Sequence, residues 1–388
     1  MVKHRGHTTS KVRRRSGVVR VRTRLWSLLG LAILISTLGA ARALVPPANE
    51  VLPVTLYVDM RDGSDSADGT SPDRALQTLD YALRNVGRAS QIKVRGFAGG
   101  AHASTWSSCV MLRGRADRPL TIRPYDIEQL EVLRPVLSGG ETINQGWTRE
   151  PRRPQLWSAP LPEDVPDVPS IVYRNGASPL LRQPDRASLL DTPGSFLVQD
   201  KRMTVHVGGN WEPETQVRRA EDLDVVVPSR GGPCLAAGSH HVRIEGLRIL
   251  HYRAGLRTQK NVRDVTVVDT DASYNAGFGF DLKASDSQMA GISGSVNGLG
   301  LVRLSDAARD NLLLRMTGVD NFGPVLTVAD GSSTGNVMKS VLVQLPNLRV
   351  LQAAIGTFPP VIAQVSGAAG ARVELVTLEA PGLDAPTL

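Results

Sequence analysis

Cysteine is scarce in this chain. Cys109 and Cys234 are its only two, no C-x-x-C pair exists, and the seven histidines fall at no metal-ligand spacing, which excludes a zinc-built module. One disulfide formed after export and two separate buried thiols both fit such a pair. Aromatic residues are few, at 4%, while 37 Gly and 25 Pro argue for a turn-rich β protein over a helical bundle. Acidic residues are missing altogether from the first 43 positions, which carry ten of the Lys and Arg. Without those ten, 35 basic residues face 37 acidic ones, so the formal charge of +8 belongs to the leader. A nucleic-acid partner would need a basic excess on the folded part, and the balance there excludes it.

The leader has three parts. A basic stretch runs to Arg24, an apolar stretch follows from Leu25 to Ala41, and Ala41-Arg42-Ala43 is a small-x-small site. That is the layout of a secretory signal. The alternative is an uncut membrane anchor, and any contact with a membrane is expected only through this segment. Arg13-Arg14-Arg15-Ser16 resembles a twin-arginine signal, but the apolar stretch begins late after it. The expected organisation is a leader over 1–43, a linker over 44–53 and one folded domain over 54–388. No second stretch reads as membrane-spanning.

The folded part opens with an expected strand, Val54 to Val58, then a loop with Asp59, Asp62, Asp65 and Asp68. A helix is expected from N-cap Ser71, with Pro72 in its first turn and Leu76, Leu79, Leu83 and Val86 on one face. Covering the open end of a β stack would bury that face. Over 91–235 the pattern predicts short strands near 92–94, 120–122, 132–137, 170–173, 196–198 and 203–207. Gln199-Asp200-Lys201 and Asn175-Gly176 read as turns. This irregular region reads as insertions on a stack or as a small separate lobe.

From 236 to 345 the chain becomes repetitive. His241-Val242-Arg243-Ile244, Asn261-Val262-Arg263-Asp264, Met289-Ala290-Gly291-Ile292, Asn311-Leu312-Leu313-Leu314 and Asn336-Val337-Met338-Lys339 recur at roughly 20- to 28-residue periods, with glycine-containing strand segments between them. One such turn cannot bury its inner face alone; stacked turns pair their strands in parallel around an aliphatic interior. Asparagine suits the recurring slot because it tolerates positive φ and bonds nearby backbone, and stacked asparagines bond one another. The expected fold is all-β: a right-handed parallel β-helix, or solenoid, with an N-terminal capping helix. A β-sandwich with coincidental spacing is the alternative. Over 346–388 the expected rungs are degenerate.

Tyr57-Val58-Asp59, Gly63-Ser64-Asp65, Asp68-Gly69-Thr70-Ser71-Pro72 and the segment 76–83 resemble the entry of pectate-lyase-like right-handed β-helix proteins. Gly114-Arg115-Ala116-Asp117-Arg118-Pro119-Leu120-Thr121-Ile122-Arg123, Pro135-Val136-Leu137-Ser138-Gly139 and Val172-Tyr173-Arg174-Asn175-Gly176 extend the resemblance, which covers roughly 54–345. It implies an extracellular protein acting on or binding a polysaccharide. The same scaffold carries lyases, hydrolases, epimerases and inactive binding domains, so it does not name the reaction.

Polyuronate lyases need a base for the proton α to the carboxylate and positive charge to neutralise that carboxylate. The resemblance implies Lys or Arg as base and Ca²⁺ held by acidic residues. Asp281 and Lys283 stand two apart on an expected strand and so share one side. Arg257 and Arg303 fall near the same slot on adjacent rungs, and Asp269, Asp271, Tyr274 and Asn275 precede them. The expected site has Lys283 as base, Arg257 or Arg303 gripping the carboxylate, and Asp271 with Asp281 as Ca²⁺ ligands. The same residues also fit a solvated strand face of alternating charge. A hydrolase pair would be Asp281 with Asp306 or Asp271, and a non-catalytic carbohydrate-binding or cell-envelope β-helix is the reading from another class. The acidic loop lacks EF-hand spacing and reads as a structural turn. His240-His241 reads as a turn feature, and Trp106, Trp147, Trp157 and Trp211 as core packing over sugar stacking.

Overall fold

The computed structural model describes residues 54–379 apart from short internal stretches, the longest being 208–218 and 346–362. The leader, the linker, Trp106, Trp211, Cys109, Cys234 and most of 346–388 lie outside the described residues. Among the described residues, no helix is long and apolar enough to cross a membrane.

Three parallel sheets wrap one interior. The first face stacks Val54–Val58, Ala89–Arg95, Leu120–Tyr125, Val242–Glu245, Val265–Val268 and Gln288–Ala290, then the first halves of Leu312–Val319, Val337–Gln344 and Arg372–Glu379. The second face stacks Ser104–Thr105, Val136–Ser138, Arg248–Leu250, Asp271–Ser273 and Ser293–Ser295 with the second halves of those three long strands. The third face stacks Val110–Leu112, Leu235–Ala237, Leu256–Thr258, Phe278–Leu282, Gly300–Leu304, Leu326–Val328 and Ala363–Val365. Each strand thus pairs with the one a full turn later, which is the right-handed parallel β-helix expected from the repeats.

The period-2 alternation of each strand sends one side chain in and the next out. Ile122, Ile244, Val267, Met289, Leu313 and Met338 are successive register partners on the first face and are all buried in the core. Burying each such side chain contributes about 1.5–3 kcal/mol. Parallel register lines up like with like, so the interior becomes a set of aliphatic stacks.

The corners follow from left-handed residues. His241, Asp264, Asp286, Asp310 and Gly335 have positive φ just before first-face strands; Gly246, Asp269, Gly291, Arg315 and Ser340 do between the first and second faces. His251, Tyr274, Val296 and Asp320 do so between the second and third. A single such residue turns the chain at the other two corners, while the corner before the first face also carries Asn261 on one rung and Asp306 and Ala307 on another. The expected asparagine slot needs correction here. Asn261 is itself a left-handed residue and is exposed, whereas Asn311 and Asn336 follow the left-handed residue and are buried.

Two side-chain ladders run up the stack. Asn311 Nδ2 donates to Asn336 Oδ1 at 2.9 Å, and Ser287 N–H donates to Asn311 Oδ1 at 3.1 Å. The second ladder, Asn275–Asn297–Asn321, was not read from the sequence. Asn275 Nδ2 donates to Asn297 Oδ1 at 3.0 Å, and Asn297 Nδ2 donates to Asn321 Oδ1 at 2.9 Å and to the Ala272 carbonyl at 2.8 Å.

The N-terminal helix is shorter than expected. Pro72–Arg74 forms only a 3-10 turn, Leu76 then bridges in parallel to Val58, and an α-helix runs over Leu79–Asn85. Leu76 is held as a strand partner, so the helix cannot begin before it. Leu79 and Ala82 enter the tube core, while Asp65 accepts from the Gln77 and Thr78 N–H groups at 3.0 and 2.8 Å. Asp59 accepts from Arg61 and Asp62 N–H, and Asp68 accepts from Thr70 N–H. The acidic loop therefore serves its own backbone, as read.

The irregular region divides: its strands up to Val136–Ser138 belong to the tube, and those from Glu141–Ile143 to Val225–Val227 form an insertion with its own sheet and core. Eight strands order as Glu141–Ile143, Val225–Val227, Ile171–Arg174, Ser178–Arg182, Ser195–Gln199, Arg202–His206, Arg153–Pro160 and Thr148–Glu150. All pairs are antiparallel except that of Ser178–Arg182 with Ser195–Gln199. Trp147 and Trp157 pack with Val172, Phe196, Met203 and Val225 in a separate core. The insertion leaves the tube after Val136–Ser138 and re-enters at Leu235–Ala237, so it replaces the corner between the second and third faces of that rung.

Two outcomes are expected. Asn297→Ala strands several buried donors and acceptors at about 1–3 kcal/mol each and lowers the urea midpoint sharply, while Asn261→Gly, at an exposed left-handed position, leaves it within about 0.5 kcal/mol.

Candidate functional site: a charged ladder on the third face

The outward row of the third face reads Ala236, Arg257, Asp281, Arg303 and Thr327 in register. Its inward neighbours Leu256, Phe280, Val302 and Leu326 belong to the core, which fixes the outward direction of the charged row. The register brings together Arg257, Asp281 and Arg303 as the spacing suggested.

Asp281 is 2% exposed although it points away from the core. The two arginines cover it. Arg303 grips it with both forks, Nε to Oδ1 at 2.9 Å and Nη2 to Oδ2 at 2.7 Å. Arg257 Nε reaches Oδ2 at 3.1 Å. A bidentate guanidinium–carboxylate pair is among the stronger charge-assisted arrangements. The hydrogen bond from Arg303 to Asp281 holds the Arg303 guanidinium above its usual range against the effect of burial. The Arg303 guanidinium carbon also lies 5.2 Å from the centre of the Phe278 ring. The site is thus a carboxylate clamped between cations two rungs apart, with one cation braced on an aromatic ring.

Lys283 follows the strand end. Its ammonium pairs with Asp306, and its backbone N–H donates to Thr258 Oγ1 at 2.7 Å. Asp306 also acts on Arg303. Three cations and two carboxylates alternate along this patch, which leaves one positive charge in excess.

The expected calcium pair is not assembled. Asp271 lies on the second face, where it accepts from Ser273 at 2.9 and 3.1 Å and from Ser293 at 2.9 Å, with Arg248 at 3.7 Å. Asp281 lies on the third face with both oxygens on guanidinium groups. Among the described residues no group of three or more His, Cys, Asp and Glu side chains could hold a metal. Ca²⁺ takes six to eight oxygen ligands, and a carboxylate already clamped by two arginines is a poor one. These residues do not fit a calcium site. The hydrolase alternative meets the same obstacle, because Asp281 is 2% exposed and both its oxygens face guanidinium groups.

His240 accepts from the Arg263 N–H at 3.0 Å and His241 pairs with Asp264, so this histidine pair tailors a corner, as read. Trp147 and Trp157 are core residues of the insertion. Missed from the sequence were Phe278 under Arg303 and a junction of Ser138, His251, Tyr173 and Tyr274, whose members are spread over 136 sequence positions with no motif to join them.

Removing Asp281 leaves two partly buried guanidinium groups facing each other. Asp281→Ala is expected to cost about 3 kcal/mol in urea unfolding, whereas Arg257→Ala, which removes the more exposed partner, costs under about 1 kcal/mol. Equal costs for the two would show that the ladder is not clamped in solution.

No protein-family model matches the chain, and no curated protein matches it. Solved structures do. The complex of XylC with xylose aligns at 12% identity and a TM-score of 0.42, over 75% of this chain and 69% of that one. Pectate lyase Pel9A aligns at 11% and 0.39, over 86% and 78%. A GH136 lacto-N-biosidase from Eubacterium ramulus aligns at 10% and 0.24, over 91% and 70%. At such scores these likenesses carry no argument about chemistry. The strand register of the chain itself makes it a parallel β-helix protein.

Proposed function

We propose that the protein is an exported, carbohydrate-active β-helix that binds an acidic polysaccharide along its third face. The observation that carries this reading is the Arg257–Asp281–Arg303 ladder. Arg257 touches Asp281 through Nε and stays somewhat more exposed than Arg303. The two arginines come from strands two rungs apart, and their guanidinium groups converge on one oxygen, Asp281 Oδ2, at 2.7 Å for Arg303 and 3.1 Å for Arg257. Their buried carboxylate fixes both orientations in advance, so little side-chain freedom is lost when an anionic sugar binds. Thr327, next in the row, has a buried hydroxyl without a hydrogen-bond partner among the described residues. The resemblance in the entry segment supports export and a polysaccharide ligand.

A second reading, uronate lyase, draws on the placement of Lys283 just beyond Asp281 on the same face. In it Lys283 removes the proton α to the carboxylate while Arg257 or Arg303 holds that carboxylate. Its ammonium must first leave Asp306, which is why binding without turnover is the better-supported reading. Glycoside hydrolysis is not proposed, because Asp281 lies covered beneath two arginines.

The test is incubation with mixed polyuronates, read by ultraviolet absorbance of unsaturated product and by reducing ends, together with retention on an immobilised acidic polysaccharide. Retention without either product is expected. Arg257→Ala and Arg303→Ala should each weaken it about tenfold, from about 1.4 kcal/mol of lost charge-assisted bonding, and salt should weaken it further. Absorbance that disappears in Lys283→Ala selects the lyase reading. Neither retention nor product, or retention indifferent to both arginines, overturns the assignment of this face.

A further inference from the structure

The insertion has its own core, yet among the described residues it also packs on the tube through a buried polar junction. Tyr173, on an inner strand of the insertion, is fully buried. Its hydroxyl faces the Asn275 and Val296 carbonyls at 2.9 and 3.0 Å, both on the corner between the second and third faces. Ile171 beside it packs with Ala276 and Val296. His251 completes the junction. Its Nε2 lies 2.8 Å from the Gly176 carbonyl of the insertion, and its Nδ1 lies 2.9 Å from Ser138 Oγ of the tube. The carbonyl can only accept, so Nε2 carries the proton. Nδ1 then accepts from the Ser138 hydroxyl, and the neutral imidazole satisfies every polar atom around it.

We propose that His251 is an acid-sensitive latch that holds the antiparallel insertion against the tube and releases it as the imidazole takes up a proton. The Gly176 carbonyl still accepts from the imidazolium, but the groups that touch the ring offer it no negative charge. Rings of Tyr173 and Tyr274 lie 5.6 and 6.1 Å from the His251 ring. Burial pushes both phenols up, so they stay neutral. The other neighbours are the Ser138 hydroxyl and the Gly176 carbonyl. Arg248 and Asp271 act on Tyr274 with opposite sign, and neither reaches His251. A second ring proton would also force the Ser138 hydroxyl to rotate and accept where it now donates. His251 itself is held at a φ of 59°, a left-handed corner that the neighbouring turns must maintain.

The sign follows from where the proton binds better. Burial lowers the docked histidine to about 4 from its ordinary 6.5. A released histidine binds the proton more tightly, so docking is at full strength above about pH 6.5 and weakens as pH falls toward 4. The docking equilibrium falls about tenfold per pH unit across that window, about 300-fold in all. Below pH 4 both states carry the proton and the loss levels off.

Native-state hydrogen exchange on the full chain reads this equilibrium directly. Protection factors, corrected for intrinsic rates, are compared at pH 7 and pH 4 for peptides spanning 171–176 and 249–254 and for the tube peptide 265–268. The expected result is a fall of about 300-fold at the junction and no fall in the tube. His251→Gln keeps a donor and an acceptor without a titrating group and should abolish the pH dependence. Tyr173→Phe should lower junction protection at both pH values by a similar factor and keep the slope. Junction protection that is the same at both pH values in the wild type, or that falls equally in His251→Gln, overturns the latch. An imidazole that titrates near 6.5 in the folded protein does so as well.

Discussion

Everything in this molecule depends on parallel hydrogen bonding between one turn of chain and the next. A single rung of three short strands has no partner for its backbone donors and acceptors, and it exposes its inner side chains. Stacking supplies both at once, because the register that pairs Ile122 with Ile244 and Val267 also pairs their amides. The register is kept by the corners. Each left-handed residue turns the chain at the same height in successive rungs, and the Asn275–Asn297–Asn321 ladder ties three of those corners together. A one-residue slip would turn every inner side chain outward and break that ladder at the same time.

The same alignment decides the outer surface. Stacking places side chains of equal rung position about 4.8 Å apart, so like charges in one row would repel. Arginine, aspartate and arginine alternate instead, and Asp281 becomes both the spacer and the clamp. The row is therefore organised whether or not anything is bound. The proposed binding of an acidic polysaccharide rests on that organisation.

The insertion follows a different rule. It is antiparallel, carries its own apolar core and replaces one corner of the tube. Its attachment depends on a small buried polar junction as well as on a few apolar contacts. Such a junction is more responsive to conditions than the tube itself, where backbone pairing and aliphatic stacks carry the stability.

Strand positions and the solenoid were legible because a repeat shows its period directly. Val242, Leu312 and Val337 recur at first-face positions, and the outward slot of Arg257, Asp281 and Arg303 could be aligned by counting. The start of the helix was misread, because Pro72 and Leu76 look helical locally and the bridge from Leu76 to Val58 is a long-range contact. The sequence by itself determined the period, the aliphatic interior and which residues could share an outer row, since all three follow from alternation and spacing along one chain. Only the tertiary structure decided that Asp281 is clamped rather than free, that Asp271 stands on another face, and that Ser138, Tyr173 and His251 meet. Those contacts depend on how faces turn at corners and where the insertion docks, and neither distance is encoded in any local pattern.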